Sequence, residues 1–120
     1  MKIISLFLFI SLFPIFCPAQ SAGNNPDTSF DQLPDDSAKV ILLNKLCRDL
    51  TDNDGEHVKA IRMGRHAFDL AEKLHYKKGS AAAQNNIGIA YYNMGNSKEA
   101  IVHHQSALRI RQAMGDKKDI

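Results

Sequence analysis

Histidines are the side chains of this chain that first suggest metal or acid–base chemistry. There are five of them: His57, His66, His75, His103 and His104. No two are four residues apart, the helical spacing that brings two imidazoles to one metal ion, and adjacent residues of a helix point about 100 degrees apart. The spacing therefore predicts no metal site, and it favours His104 as a packed helix residue.

Other reactive groups are sparse. Asp52 and Asp54 lie in a short turn, but the remaining ligand positions of a calcium loop are absent. The chain has no nucleophile motif and no glycine-rich phosphate loop. Its net charge of +2, without a basic stripe, is not typical of nucleic-acid binding. We expect a protein that is not an enzyme, binds no cofactor and contacts no nucleic acid through this segment.

Two amphipathic helices joined by a tight turn are predicted between Ala81 and Met114. The apolar face of the first carries Ala83, Ile87, Ala90, Tyr91 and Met94. The same face of the second carries Ala100, Ile101, His104, Ala107, Leu108 and Met114. Gly95 supplies the left-handed residue that ends the first helix, and Asn96 with Glu99 forms a capping box. Such a hairpin needs a neighbour to bury its apolar face.

This hairpin resembles a tetratricopeptide repeat (TPR). The residues at the positions where TPRs carry Leu, Gly, Tyr, Ala and Ala are Ile87, Gly88, Tyr91, Ala100 and Ala107. Gln84 and His104 depart from the pattern, since they stand where Trp and an aromatic residue are frequent. The resemblance implies an all-α fold of tandem antiparallel helical hairpins wound into a right-handed superhelix.

A more degenerate copy of the hairpin precedes it. Leu46, Cys47 and Leu50 match residues of the first helix 41 positions later, whereas Ala60 and Ala67 match the second helix at 40. One extra residue in the first turn accounts for the difference. We divide this part of the chain into a first repeat at 37–76, a second at 77–114 and the start of a further repeat at 115–120.

The first 36 residues have a different composition. Residues 1–19 comprise Lys2, an apolar run and Pro14, which predicts a secretory signal peptide cleaved after Ala19. The run is shorter than the ~20 residues that span a bilayer, although an uncleaved anchor and a lipoprotein at Cys17 are alternatives. Residues 20–36 predict a flexible acidic lead-in whose end caps the first helix. We expect a periplasmic or otherwise extracytoplasmic protein.

Cleavage would leave Cys47 as the single cysteine, so no internal disulfide can form. Its place in the apolar pattern favours a buried small residue, and a free reactive thiol is the alternative.

The resemblance also implies a binding surface, because the first helix of each TPR hairpin lines the concave side of the superhelix. The residues expected to face a peptide-binding groove are Asn44, Lys45, Arg48, Asn85, Asn86, Ile89 and Asn93. Asn86 resembles the asparagine with which peptide-binding TPRs hold a ligand backbone, so Asn86→Ala is expected to leave folding nearly untouched. Lys45 and Arg48 could attract a carboxylate. The alternative is an ordinary solvated helix face.

These observations predict an exported TPR module that binds a protein or peptide. The whole chain resembles the N-terminal sensor regions of Bacteroidetes-type TPR histidine kinases or regulators. That resemblance implies a longer signalling protein of a two-component system, which would meet the membrane only through its leader or a C-terminal part. The alternative is a self-associating structural scaffold without a specific ligand.

Overall fold

The computed structural model describes residues 30–53 and 55–115, which form four α-helices. Their bounds are α1 Ser37–Asp52, α2 His57–Lys73, α3 Lys77–Asn93 and α4 Ser97–Gly115. Each helix packs antiparallel against the next, and α1 also contacts α3. The all-α fold of tandem helical hairpins is therefore confirmed. The predicted signal peptide, Asp54 and residues 116–120 lie outside the described residues.

The turn between α3 and α4 has the predicted left-handed Gly95 and one of the two hydrogen bonds of the predicted capping box, since the backbone N–H of Asn96 donates to the backbone oxygen of Tyr91. Gly95 has φ of 81°, and the side-chain oxygen of Asn96 accepts a hydrogen bond from the backbone N–H of Glu99 at 3.2 Å. The corresponding turn after α2 repeats the backbone bonds but places His75 in the left-handed region, at φ 55°. A residue with a Cβ is disfavoured in this region, so His75 adopts a conformation that suits glycine better. Helix α3 starts at Lys77, earlier than the predicted Ala81.

The first hairpin begins and turns as its sequence indicates. Asp36 is the N-cap of α1, and its carboxylate accepts from the backbone N–H of Lys39 at 3.0 Å. The connection between α1 and α2, residues 53–56, is one residue longer than that between α3 and α4, residues 94–96. This extra residue explains why the first helices match at 41 positions and the second helices at 40.

The close contact between the two helices of a hairpin needs one small residue, which lies on a different helix in each of the two hairpins. In the second hairpin a Cβ added to Gly88 would lie 2.8 Å from Cε1 of His104, so the small residue is on the first helix. In the first hairpin, Cys47 occupies the Gly88 position and the small residue is Gly64, on the second helix. A Cβ on Gly64 would lie 3.1 Å from Sγ of Cys47 and 2.6 Å from Cγ1 of Ile87. The small and the large residue have thus changed helices, and the close contact is kept. The space beside Gly64 is also filled by the side chain of Ile87, from the next repeat.

The predicted apolar face of α4 is only partly buried, which corrects the sequence-based expectation. Ala100 and Ala107 are its buried residues, whereas Ile101 and Leu108 are 55% and 54% exposed. The matching residue of the first hairpin, Ile61, is only 7% exposed. The difference arises because α3 packs against α2, while no described helix packs against the far side of α4.

Candidate functional site

Two asparagines join α1 to α3 through a chain of hydrogen bonds. The side-chain nitrogen of Asn86 donates to the backbone oxygen and to Oδ1 of Asn44, both at 3.3 Å. The side-chain nitrogen of Asn44 in turn donates to the backbone oxygen of Gly79 at 3.2 Å. We call this set the asparagine lock. It fixes the spacing of the first helices of the two hairpins.

The lock changes the role expected for two of the predicted groove residues. Asn44 and Asn86 are 5% and 4% exposed, and their amide nitrogens already have protein partners. A ligand could reach these amides only if the α1–α3 contact opened. Loss of a buried hydrogen-bonding partner is destabilising. We therefore expect Asn86→Ala to lower the stability of the fold, in contrast to the sequence-based expectation that folding is nearly untouched.

The two predicted cationic residues have different surroundings. Lys45 forms an exposed ion pair with Asp49 at 2.8 Å, and its side chain is 63% exposed. Arg48 is exposed, and its guanidinium lies in none of the ion pairs found among the described residues. Since an exposed i,i+4 pair contributes only about 0.3–0.5 kcal/mol, Lys45 is weakly held. Of the two predicted cations, Arg48 is the one without an ion-pair partner among the described residues.

Accessible residues flank the lock on both helices. On α1, Ile41 precedes Asn44 by three residues and Arg48 follows it by four. On α3, Ala82 precedes Asn86 by four residues and Ile89 follows it by three. Residues three and four apart lie on one side of a helix. Ile41 is 57% exposed, Arg48 and Asn93 are exposed, and Ala82 and Ile89 are half-buried. We call these residues, Ile41, Arg48, Ala82, Ile89 and Asn93, the groove face.

The remaining predicted residue, Asn85, points toward the other side of α3. Its Oδ1 lies 3.2 Å from Nδ1 of His104, on α4. Asn85 is half-buried and contributes to the contact within the second hairpin. The structure therefore places Asn85 in the α3–α4 contact and not on the groove face.

A second polar contact between α3 and α4 was not foreseen from the sequence. Nδ1 of His103 lies 2.6 Å from Oε1 of Gln84, and its ring stacks on Tyr91 with centroids 5.3 Å apart. The hydroxyl of Tyr91 accepts from Arg65 of α2 at 3.0 Å. Burial lowers the pKa of His103 below its usual range, and the nearby Arg65 lowers it further. Gln84 stands where TPRs often carry Trp, and this departure from the pattern was the feature of the sequence that could have indicated a polar contact here.

Cys47 is fully buried, as its place in the apolar pattern predicts. Burial raises the pKa of its thiol to about 11, so the thiolate that reacts with electrophiles is scarce at neutral pH.

Within residues 30–53 and 55–115, no three His, Cys, Asp or Glu side chains converge on a common point. None of the four described helices is long and apolar enough to cross a membrane.

The fold and the lock define a class of protein: a helical-repeat protein whose first helices lie side by side and leave one face accessible. The tetratricopeptide repeat family matches residues 40–113. The chain belongs to this family, whose domains are generally protein–protein interaction modules. No curated protein and no solved structure shows significant similarity to the chain.

Proposed function

We propose that the groove face binds an extended segment of a protein or peptide. The observation that carries this proposal is the position of the groove face on both sides of the asparagine lock. The lock holds α1 and α3 at a fixed distance, and Ile41, Arg48 and Ile89 are accessible beside it. A fixed surface needs no reordering when a ligand arrives, which favours affinity.

The chemistry of the groove face suggests the kind of ligand. Ile41 and Ile89 offer apolar contacts on opposite helices, and Arg48 offers a guanidinium that can bind a carboxylate with two hydrogen bonds. Asn93 adds an amide donor and acceptor. This arrangement suits a segment that combines an apolar side chain with an acidic group.

A displayed library of random nine-residue peptides would test the proposal against the purified chain. We expect selected peptides to lose at least tenfold in affinity with Arg48→Glu or Ile89→Asp, as measured by fluorescence anisotropy. Val102→Asp is the matched control, because Val102 is 50% exposed on α4 and lies outside the groove face. Peptides that bind all the variants equally, or only lose affinity with Val102→Asp, would refute the proposal.

We also propose that the module is exported and serves as the sensor region of a signalling protein. The apolar leader at residues 1–19 supports export, and the resemblance to TPR histidine kinases supports a sensory role. A fusion of residues 1–36 to alkaline phosphatase should be active in a bacterial periplasm, with Gln20 as the first residue of the processed product. An inactive fusion would contradict export.

A self-associating scaffold is the second candidate. The exposed Ile101 and Leu108 of α4 favour it, because such residues often lie in interfaces. This candidate predicts a discrete oligomer of the unaltered chain in size-exclusion chromatography with light scattering. A monomer at micromolar concentration would exclude it.

A further inference from the structure

A cleft lies between the C-terminal parts of α2 and α4, the second helices of the two hairpins. Helix α3 packs against both of them, and its first residue also lines the cleft. The cleft has a volume of about 540 Å³, within the range of roughly 300–1,000 Å³ that is usual for small-molecule sites. No groove-face residue lines it. We call it the α2–α4 cleft, and its walls include Phe68, Glu72, Lys77, Arg109, Ile110 and Met114.

An apolar strip runs along α4 inside the cleft. Ile110 and Met114 are four residues apart and so lie on one side of the helix, and Phe68 of α2 adds to the apolar walls. All three side chains are half-buried, so part of each is accessible from the cleft. Ser106 lines the cleft one turn before Ile110, and the distance from Ser106 to Met114 along the helix axis is about 12 Å. Such a strip suits an elongated apolar chain.

The positive charge of the cleft comes from Arg109. This residue is exposed, and its guanidinium takes part in none of the ion pairs formed within residues 30–53 and 55–115. Lys77 forms a long ion pair with Glu72, at 3.7 Å, so these two charges offset each other. The charge of Arg109 therefore stays uncompensated beside the apolar strip. A guanidinium can bind a carboxylate through two parallel hydrogen bonds.

The cation is particular to the second hairpin. At the 40-residue offset, Arg109 corresponds to Asp69 and Ala113, which also lines the cleft, corresponds to Lys73. The repeat pattern thus does not require a cation at the first position or a small residue at the second. Alanine leaves room beside Ile110 where a lysine would extend. The combination of room, apolar walls and a positive charge is therefore not a by-product of the repeat.

The cleft also lies away from the surface that a following repeat would use. Helix α3 contacts the side of α2 that carries Ile61 and Gly64. The matching side of α4 carries Ile101, at the position of Ile61. Ile110 follows Ile101 by nine residues, and at about 100 degrees per residue the two lie on opposite sides of α4. A following helix that repeats α3 would meet the Ile101 side and leave the cleft accessible.

We propose that the α2–α4 cleft binds a small amphipathic anion, a carboxylate attached to an unbranched apolar chain. The chain lies against Phe68, Ile110 and Met114, and the carboxylate accepts hydrogen bonds from Arg109. Burial of the chain supplies most of the affinity, because Arg109 is exposed and water screens its charge. The flexible side chain of Met114 can adapt to the chain. This site is separate from the groove face, so both can be occupied at once.

Titration of the isotope-labelled chain with sodium decanoate, below the concentration at which it forms micelles, tests the proposal by nuclear magnetic resonance. We expect saturable shifts at Phe68, Ile110, Ala113 and Met114. Octanoate should bind about four- to sixteen-fold more weakly, because each buried CH₂ group strengthens binding by up to about fourfold. Acetate, which has no apolar chain, should cause no shifts at these residues, and decanol, which has no charge, should bind more weakly than decanoate.

Two arginine variants test the charge. Arg109→Gln should weaken decanoate binding by about three- to tenfold and leave decanol binding unchanged. Arg111→Gln is the matched control, because Arg111 is also exposed on α4 and does not line the cleft. Arg48→Glu, on the groove face, should bind decanoate like the unaltered chain, which keeps this test independent of the peptide proposal.

Four results would overturn the proposal. They are the lack of saturable binding, the same affinity for octanoate and decanoate, equal decanoate affinities of the Arg109→Gln and Arg111→Gln variants, and shifts that lie outside the cleft.

Discussion

Replacement of Asn86 by alanine is the perturbation whose outcome depends most on the asparagine lock. Asn86 is 4% exposed, and its side-chain nitrogen is shared between two acceptors on Asn44 at 3.3 Å. Alanine removes this donor and leaves the buried Oδ1 of Asn44 without its partner. An unsatisfied buried polar group costs about 1–3 kcal/mol. Because both bonds are long, we expect about 1–2 kcal/mol, at the lower end of that range.

Urea and thermal denaturation followed by circular dichroism would measure the change. In a domain of this size, each kcal/mol lowers Tm by roughly 4–8 °C. Asn93→Ala is the matched control, because Asn93 is exposed on the same helix and has no hydrogen bond to a described side chain. A double-mutant cycle with Asn44→Ala should give a coupling of about 0.5–3 kcal/mol. Equal stabilities of Asn86→Ala and Asn93→Ala, or zero coupling, would show that the lock is absent.

Four further substitutions or titrations probe other contacts. Gly88→Leu should destabilise the chain by about 1–3 kcal/mol in urea denaturation, because its side chain would collide with His104. His75→Gly should stabilise it by up to about 1 kcal/mol in the same assay, since glycine tolerates positive φ. The depressed pKa of His103 means that the unfolded chain binds its proton more tightly. The free energy of unfolding should therefore fall as pH decreases from 7.5 to 5.5, and less steeply in His103→Gln. Cys47 should react with a thiol reagent in 6 M guanidinium but not in the folded chain; equal rates would contradict its burial.

The sequence predicted the hairpins because their signals are local. Gly95 and Asn96 act through backbone conformation and capping within a single turn, and both behave as expected. The 41- and 40-residue offsets also reveal the extra residue of the first turn directly. Local chemistry and repetition therefore suffice for the helix order and for the boundaries to within a few residues.

The role of the asparagines could not be predicted in the same way. Asn44 and Asn86 are not equivalent in the repeat, since the 41-residue offset pairs Asn44 with Asn85 and Asn86 with Lys45. Their contact depends on how far α3 is rotated against α1, which the apolar pattern of each helix does not specify. Gly79 was the one residue whose type could have indicated where α1 and α3 approach each other. A Cβ there would lie 2.7 Å from Cγ1 of Val40, so the two helices approach closely near its carbonyl.

The burial of α4 was misjudged for a different reason. An apolar stripe shows which face of a helix is suited to packing, but not whether a neighbour covers it. Ile61 and Ile101 are the same residue type at matched positions, and only Ile61 is covered. Periodicity therefore identified the correct face of α4, whereas its exposure depends on the arrangement of the other helices.

Chemical-shift mapping of the isotope-labelled chain with a library-selected peptide would show where the ligand binds. We expect the largest amide shifts at the groove face, Ile41, Arg48, Ala82, Ile89 and Asn93, while Asn44 and Asn86 stay protected from hydrogen exchange. Shifts that instead cluster on Ile101 and Leu108, or a loss of protection at the two asparagines on binding, would contradict it.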